Sequence, residues 1–371
     1  MSTSRGTSGR ARLLSRAAPA IRDLHPGYFA FVMATGIVST GMFLLGPAWL
    51  SRALLVIASA GLVVLTVALA ARVVFFRASV AVDVKAPDRV FGFFTCVAGL
   101  NVLGVRFAFA GHPLVTAVLA AVAAAIWLVL TYGVPASLLL TRERASVLDG
   151  VNGTWLLWVV ATQSISVSAA ALITTWPSQS ALLAPVAVGL WSVGLLLYLM
   201  LVALIMQRWL TVPTTPATLG PPYWILMGAT AITVLAGARD LALPRDIPAV
   251  AATAGFVEGF SFALWAFGTW WIPLLVILGF WRHIRRHWPL TYEPPLWSVV
   301  FPLGMYSVAT LNYGKTAHLA FMKPLARFMI WVAVIAWALV AAGFLTRLIR
   351  HSGRSGAGTS AVPGTTTTTT T

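Results

Sequence analysis

Hydroxyl and amide side chains punctuate the apolar stretches of this 371-residue chain at regular places. Thr35, Ser39, Asn101, Thr162, Ser166, Thr230, Thr233, Ser298 and Asn312 all fall in segments otherwise made of Leu, Val, Ala and Ile, alongside Thr95, Gln163, Ser164, Ser168, Ser307 and Thr310. Such groups do one of two things in an apolar medium: they hydrogen-bond between helices, or they line a water-filled passage. Taken singly, each is equally able to bond a carbonyl of its own helix. Thr35, Thr162 and Thr230, however, hold the same place in three repeats, which points to a shared wall.

Covalent chemistry finds no matching residues. The six histidines, His25, His112, His283, His287, His318 and His351, lie near segment ends or in loops, and only His283 and His287 are four apart, without a third ligand to complete a metal site. Glycine-rich phosphate loops are absent, and the single cysteine, Cys96, sits inside an apolar stretch as a small packing residue. The expectation is a protein that is not an enzyme and needs no cofactor or metal. An intramembrane enzyme or a membrane scaffold or sensor without transport activity are the alternatives.

The segment from Leu296 to Asn312 carries a different signal. Pro302 removes a backbone donor within a helix and should bend it, and helical spacing puts Ser298, Phe301, Met305 and Asn312 on one side. A bulky ring at such a bend, facing an axis lined by small residues, would be an occluding gate; a ring packed between helices beside a proline is the other reading. Glu258 lies within another apolar stretch, where a bare carboxylate is costly. It is either paired with a basic residue such as Arg106 or a site that carries a proton. Lys315, His318, Lys323 and Arg327 cluster near two segment ends, where they either draw anions to a mouth or position the ends.

What must hold these residues is a set of ten apolar segments, at 27–46, 51–75, 91–110, 113–139, 154–175, 181–207, 222–241, 249–281, 296–316 and 325–347. Each is long enough to cross a bilayer. Hydrophobic residues make up 59% of the chain and charged residues 9%, with a mean hydropathy of +0.88, which excludes a water-soluble globule. Five segments open alike, with an aromatic residue followed seven positions later by a small or hydroxylated one: Tyr28 and Thr35, Phe91 and Ala98, Trp155 and Thr162, Tyr223 and Thr230, Trp297 and Gly304. Seven residues are two helical turns, about 10 Å along one face. The motif returns every 63 to 74 residues, the length of a helical hairpin and its loop. The expected fold is therefore all-α and membrane-integral. Its ten transmembrane helices form five hairpins around a central pore, odd helices inside and the Leu/Val/Ala-rich even helices outside.

The net charge of +16 raises nucleic acid as a partner, but the basic residues flank the apolar segments instead of forming one face. Of the 25 Lys and Arg, 18 collect at the N-terminus, in the alternate loops and at the C-terminus, which puts both termini in the cytoplasm of a multi-pass protein of the cell membrane. Residues 1–24 read as a basic cytoplasmic segment that is amphipathic or disordered, with no cleavable leader. Residues 25–347 form the membrane domain, and 348–371, ending in threonines, a disordered tail.

Pro26-Gly27-Tyr28-Phe29 with Val32-Met33-Ala34-Thr35-Gly36, and Phe301-Pro302-Leu303-Gly304, resemble the tellurite-resistance and C4-dicarboxylate transporter family, which is related to plant slow-type anion channels. The resemblance spans roughly residues 25 to 347. It implies transport of small anions, whether C4-dicarboxylates such as malate and succinate or inorganic, sulfite- or tellurite-related anions. In such proteins a phenylalanine of the ninth helix closes the central pore, a role that falls here on Phe301, and homotrimers with one pore per subunit are common. Ala34 stands where the family motif more often has glycine.

Overall fold

The computed structural model describes residues 18–140 and 147–356. Ten long helices account for most of them: α1 (Ala30–Leu45), α2 (Ala48–Phe75), α3 (Phe94–Phe109), α4 (Pro113–Leu140), α5 (Leu157–Thr175), α6 (Ser180–Thr211), α7 (Ile225–Leu241), α8 (Pro248–Phe280), α9 (Trp297–Thr316) and α10 (Met322–Gly356). No strand occurs among the described residues. Nine of these helices are long and apolar enough to cross a membrane. The exception is α9, whose Ser298, Pro302, Ser307, Thr310 and Asn312 lower its hydropathy; all but four of its 20 residues are buried, so it needs no lipid-compatible surface. Helix α10 continues past the expected segment end at 347 into what was expected to be tail, and residues 1–17, 141–146 and 357–371 lie outside the described residues.

Each odd helix begins with one 3₁₀ turn: Pro26–Phe29, Val90–Phe93, Gly153–Leu156, Pro221–Trp224 and Pro294–Leu296. Proline suits this position, because its fixed φ is already helical and its missing N–H would have had no partner. Two of the turns are also capped by side chains: the Gly27 N–H donates to His25 Nδ1 at 3.0 Å and the Thr154 N–H to Asn152 Oδ1 at 2.8 Å. The repeated aromatics Tyr28, Phe91, Trp155 and Tyr223 lie within these turns, with Trp297 directly after the fifth. The sequence repeat is thus a structural one.

The odd helices pack side by side, α1 on α3, α3 on α5, α5 on α7, α7 on α9 and α9 back on α1, so the five close into a ring. Their 3₁₀ turns touch in the same cyclic order. Each even helix leans on the odd helix before it. Burial follows this division: between 72% and 89% of the most apolar stretch is buried in α1, α3, α5 and α7, against 17% to 39% in the even helices. Val56, Val63, Val64 and Val67 on α2 and Leu339 on α10 are among many large apolar side chains left on the outside. Apolar surface on this scale fits a multi-pass membrane protein.

Indole donors tie outer helices to inner ones in a recurrent way. Trp127 of α4 donates to Thr162 Oγ1 of α5 at 2.9 Å, Trp265 of α8 to Thr310 Oγ1 of α9 at 3.0 Å, and Trp337 of α10 to Thr35 Oγ1 of α1 at 3.1 Å. Trp191 of α6 makes the equivalent link to the Thr233 carbonyl of α7 at 3.0 Å. Each joins an even helix to the next odd one, so these bonds clasp one hairpin to its neighbour. At the basic end, buried Asp83 pairs with Arg72 at 2.7 Å and Arg89 at 2.9 Å, and Arg72 Nε also donates to the Arg22 carbonyl. This fixes the loop helix Arg77–Lys85 against α2, giving two of the basic residues a structural role besides their topological one.

If the clasp carries stability, Trp265→Phe and Thr310→Val should each cost about 1 kcal/mol in thermal unfolding of the detergent-solubilised protein. The double variant should cost clearly less than the sum. Strict additivity would show that the indole bond contributes nothing.

Candidate functional site

The turn ring surrounds a vestibule at the basic end of the bundle. Every junction before an odd helix contributes to its lining: His25, Asp88, Asn152, Tyr223 and Glu293, joined by Arg208 and Arg282. Burial, and next the nearby Arg89, hold the His25 imidazole below its usual pKa. That agrees with Nδ1 serving as acceptor for the Gly27 N–H. Arg208 donates to the Tyr223 hydroxyl at 3.4 Å, and the Arg282 guanidinium lies 5.5 Å from the Trp288 ring centroid.

Further along the ring axis is a narrow cavity of about 20 Å³, room for about one water molecule. All five odd helices line it: α1 through Ile37 and Thr40, α3 through Asn101, Val102, Val105 and Phe109, α5 through Ser164 and Val167, α7 through Ile232, Leu235 and Arg239, and α9 through Met305 and Val308. Beside it α3 and α5 are joined by hydrogen bonds, in which Asn101 Nδ2 donates to Ser164 Oγ at 2.9 Å and Ser168 Oγ donates to Asn101 Oδ1 at 2.9 Å. Phe301 precedes Met305 by one turn, on the same face and nearer the vestibule, and is only 1% exposed. Pro302 beside it packs on Gly228 of α7, where an added Cβ would lie 2.8 Å from the proline Cγ.

Of the expected lining residues, Asn101 and Met305 border this cavity. Thr35 and Thr162 instead take the indole bonds described above, and Thr230 bonds the Met227 carbonyl at 2.7 Å while facing Gly268 of α8. Thr233 bonds the Ala229 carbonyl at 2.8 Å. Ser39 and Ser51 exchange hydroxyl-to-carbonyl bonds at 2.7 Å, joining α1 to α2. Ser166 and Ser298 are buried, and Asn312 donates to the Val308 carbonyl at 2.7 Å. Two of the three repeat threonines, Thr35 and Thr162, thus meet an outer helix through their hydroxyls.

The suggested pairing of Glu258 with Arg106 does not form. Glu258 is exposed on the outside of α8, where its backbone carbonyl accepts from the Tyr313 hydroxyl at 2.8 Å. Arg106 is buried and donates to Ser39 Oγ at 3.2 Å and Ser51 Oγ at 2.9 Å. Cys96 is buried and free. The residue that sequence reasoning passed over is Arg239: a charged side chain inside the seventh apolar segment was the available signal.

A sequence model of voltage-dependent anion channels matches residues 23–345. An uncharacterized membrane protein of Mycobacterium tuberculosis is 45% identical over 166 residues, which cover 45% of this chain and 84% of that protein. An uncharacterized transporter of Methanocaldococcus jannaschii is 24% identical over 331 residues, 86% of this chain and 92% of its own. With the match running from before the first 3₁₀ turn almost to the end of α10, this chain belongs to the voltage-dependent anion channel family and is a transport protein, not an enzyme.

Proposed function

We propose that the protein passes small anions, inorganic or C4-dicarboxylate, along the axis of the five-helix ring, with the Phe301 ring as the closed gate between vestibule and cavity. The observation that carries this reading is the cavity itself, walled by one stretch of each odd helix and with Met305 one turn beyond Phe301. In this arrangement the ten helices cross the bilayer as five hairpins. Hydroxyls and an amide offer weak sites that an anion can enter and leave. Proton coupling is not assigned to Glu258, because its carboxylate lies on the outer face of α8. Three copies, each with its own passage, are the assembly that belongs with this reading.

Phe301→Ala in proteoliposomes is expected to raise passive chloride and malate flux at near-native thermal stability, since the ring would then fill a passage. A ring that merely packs the core would instead cost on the order of 3–5 kcal/mol when truncated, and lost stability without added flux would refute the gate. The topology follows the basic loops, with both termini cytoplasmic. In a Cys96→Ser background, cysteines placed at Ser4 and Ser352 are expected to escape an impermeant thiol reagent in intact cells, and labelling of either would invert the assignment.

A further inference from the structure

A single cation reaches the central cavity among the residues that line it: Arg239, in the last turn of α7, at the end away from the vestibule. Sixteen of the 17 residues of α7 are buried, and Arg239 is the one left partly open. Among the described residues no carboxylate pairs with it, and its Nε is shut off from solvent without a hydrogen-bond partner. Asp240 follows it in the chain, but consecutive helical residues diverge by about 100°, and its buried carboxylate makes no ion pair.

An aromatic stack holds the guanidinium without neutralising it. Arg239 lies 5.4 Å from the Phe109 ring centroid, Phe109 stacks on Phe43 at 5.5 Å, and Arg106 covers Phe43 at 4.5 Å. The two arginines bracket the two rings but differ in commitment. Arg106 donates to Ser39 and Ser51, whereas Arg239 stands in the cavity wall with its Nε unbonded. A guanidinium in so apolar a setting gains most from an anion that brings both charge and acceptors.

We propose that Arg239 is the anion-binding and selectivity-determining residue of the passage, holding a small anion transiently at its outer end. The inference rests on the reading of the cavity as the route of transport. Because the lining residues hold no second cation, one negative charge is matched and a second is not, so the site favours small monovalent anions over dicarboxylates. Phe109 acts as a positioning residue through the guanidinium it supports.

The test uses the full chain in planar bilayers and proteoliposomes, with potassium chloride and potassium succinate gradients, in the wild-type and Phe301→Ala proteins. Arg239→Gln is expected to raise half-saturating chloride and to lower the chloride-over-potassium permeability ratio, each by about tenfold or more, as loss of a charged hydrogen bond implies. Arg239→Lys should retain most of the ratio. Arg239→Met keeps an aliphatic stem on Phe109 and supplies the same readout should the Gln variant unfold. An unchanged reversal potential and half-saturation in natively folded Gln or Met variants would overturn the role of Arg239 while leaving the passage intact. Saturation by succinate at concentrations as low as for chloride would overturn the preference for one charge. Absence of anion flux in both wild type and Phe301→Ala would remove the passage itself, and the inference with it.

Discussion

Closing five helices into a ring demands that every neighbouring pair approach closely, because lipid supplies no hydrophobic force to press one apolar helix on another. Small residues at the contacts meet this demand. An ideal Cβ at Gly228 would lie 2.8 Å from Pro302 Cγ, one at Gly304 would lie 3.0 Å from Ile37 Cγ2, and one at Gly36 would lie 3.1 Å from Val102 Cγ1. These contacts join α7 to α9, α9 to α1 and α1 to α3. Removing the side chain at each contact lets dispersion contacts between backbones and branched side chains accumulate over the whole interface. The place of α9 depends on them: Pro302 is seated against Gly228 on one side and Gly304 against Ile37 and Val38 on another.

Polar groups inside the bundle are arranged by the cost of leaving them unpaired in a dry medium. Thr230, Thr233, Thr40 and Asn312 bond carbonyls of their own helices. Thr35, Thr162 and Thr310 accept indole bonds from outer helices. Most of the polarity thereby serves to clasp the hairpins. Asn101 instead bonds across to Ser164 and Ser168 of α5, and Asn101 and Ser164 border the cavity.

Charge is sorted by depth as well. The basic end carries the Arg72–Asp83–Arg89 cluster and the arginines of the vestibule, while Arg106 and Arg239 stand at the opposite end of the ring on two stacked phenylalanines. Cations at both ends of the ring favour negative solutes by long-range potential, which suits a member of an anion channel family.

Length, composition and repeat determined a great deal here without coordinates. Apolar segments of span length required helices and a membrane, and the recurring aromatic followed by a small residue marked the five inner helices, since each such aromatic sits in or beside a 3₁₀ turn that starts one. The place of Phe301 and Pro302 in α9 was equally legible from the proline and its neighbours. Which face of an inner helix meets the axis was not. A helix buried all round, as α7 is in 16 of its 17 residues, has no polar stripe to separate the side facing a passage from the side facing another helix. Both sides accept hydroxyls, so Thr35, Thr162 and Thr230 read alike whether they line a pore or receive a tryptophan. Only the packed structure supplies the indole partners of Thr35 and Thr162, which lie on a different hairpin, as far as 302 positions away in sequence for Trp337 and Thr35. The same holds for Arg239, whose charge was visible in the chain but whose exposure to the cavity came from the closing of the ring.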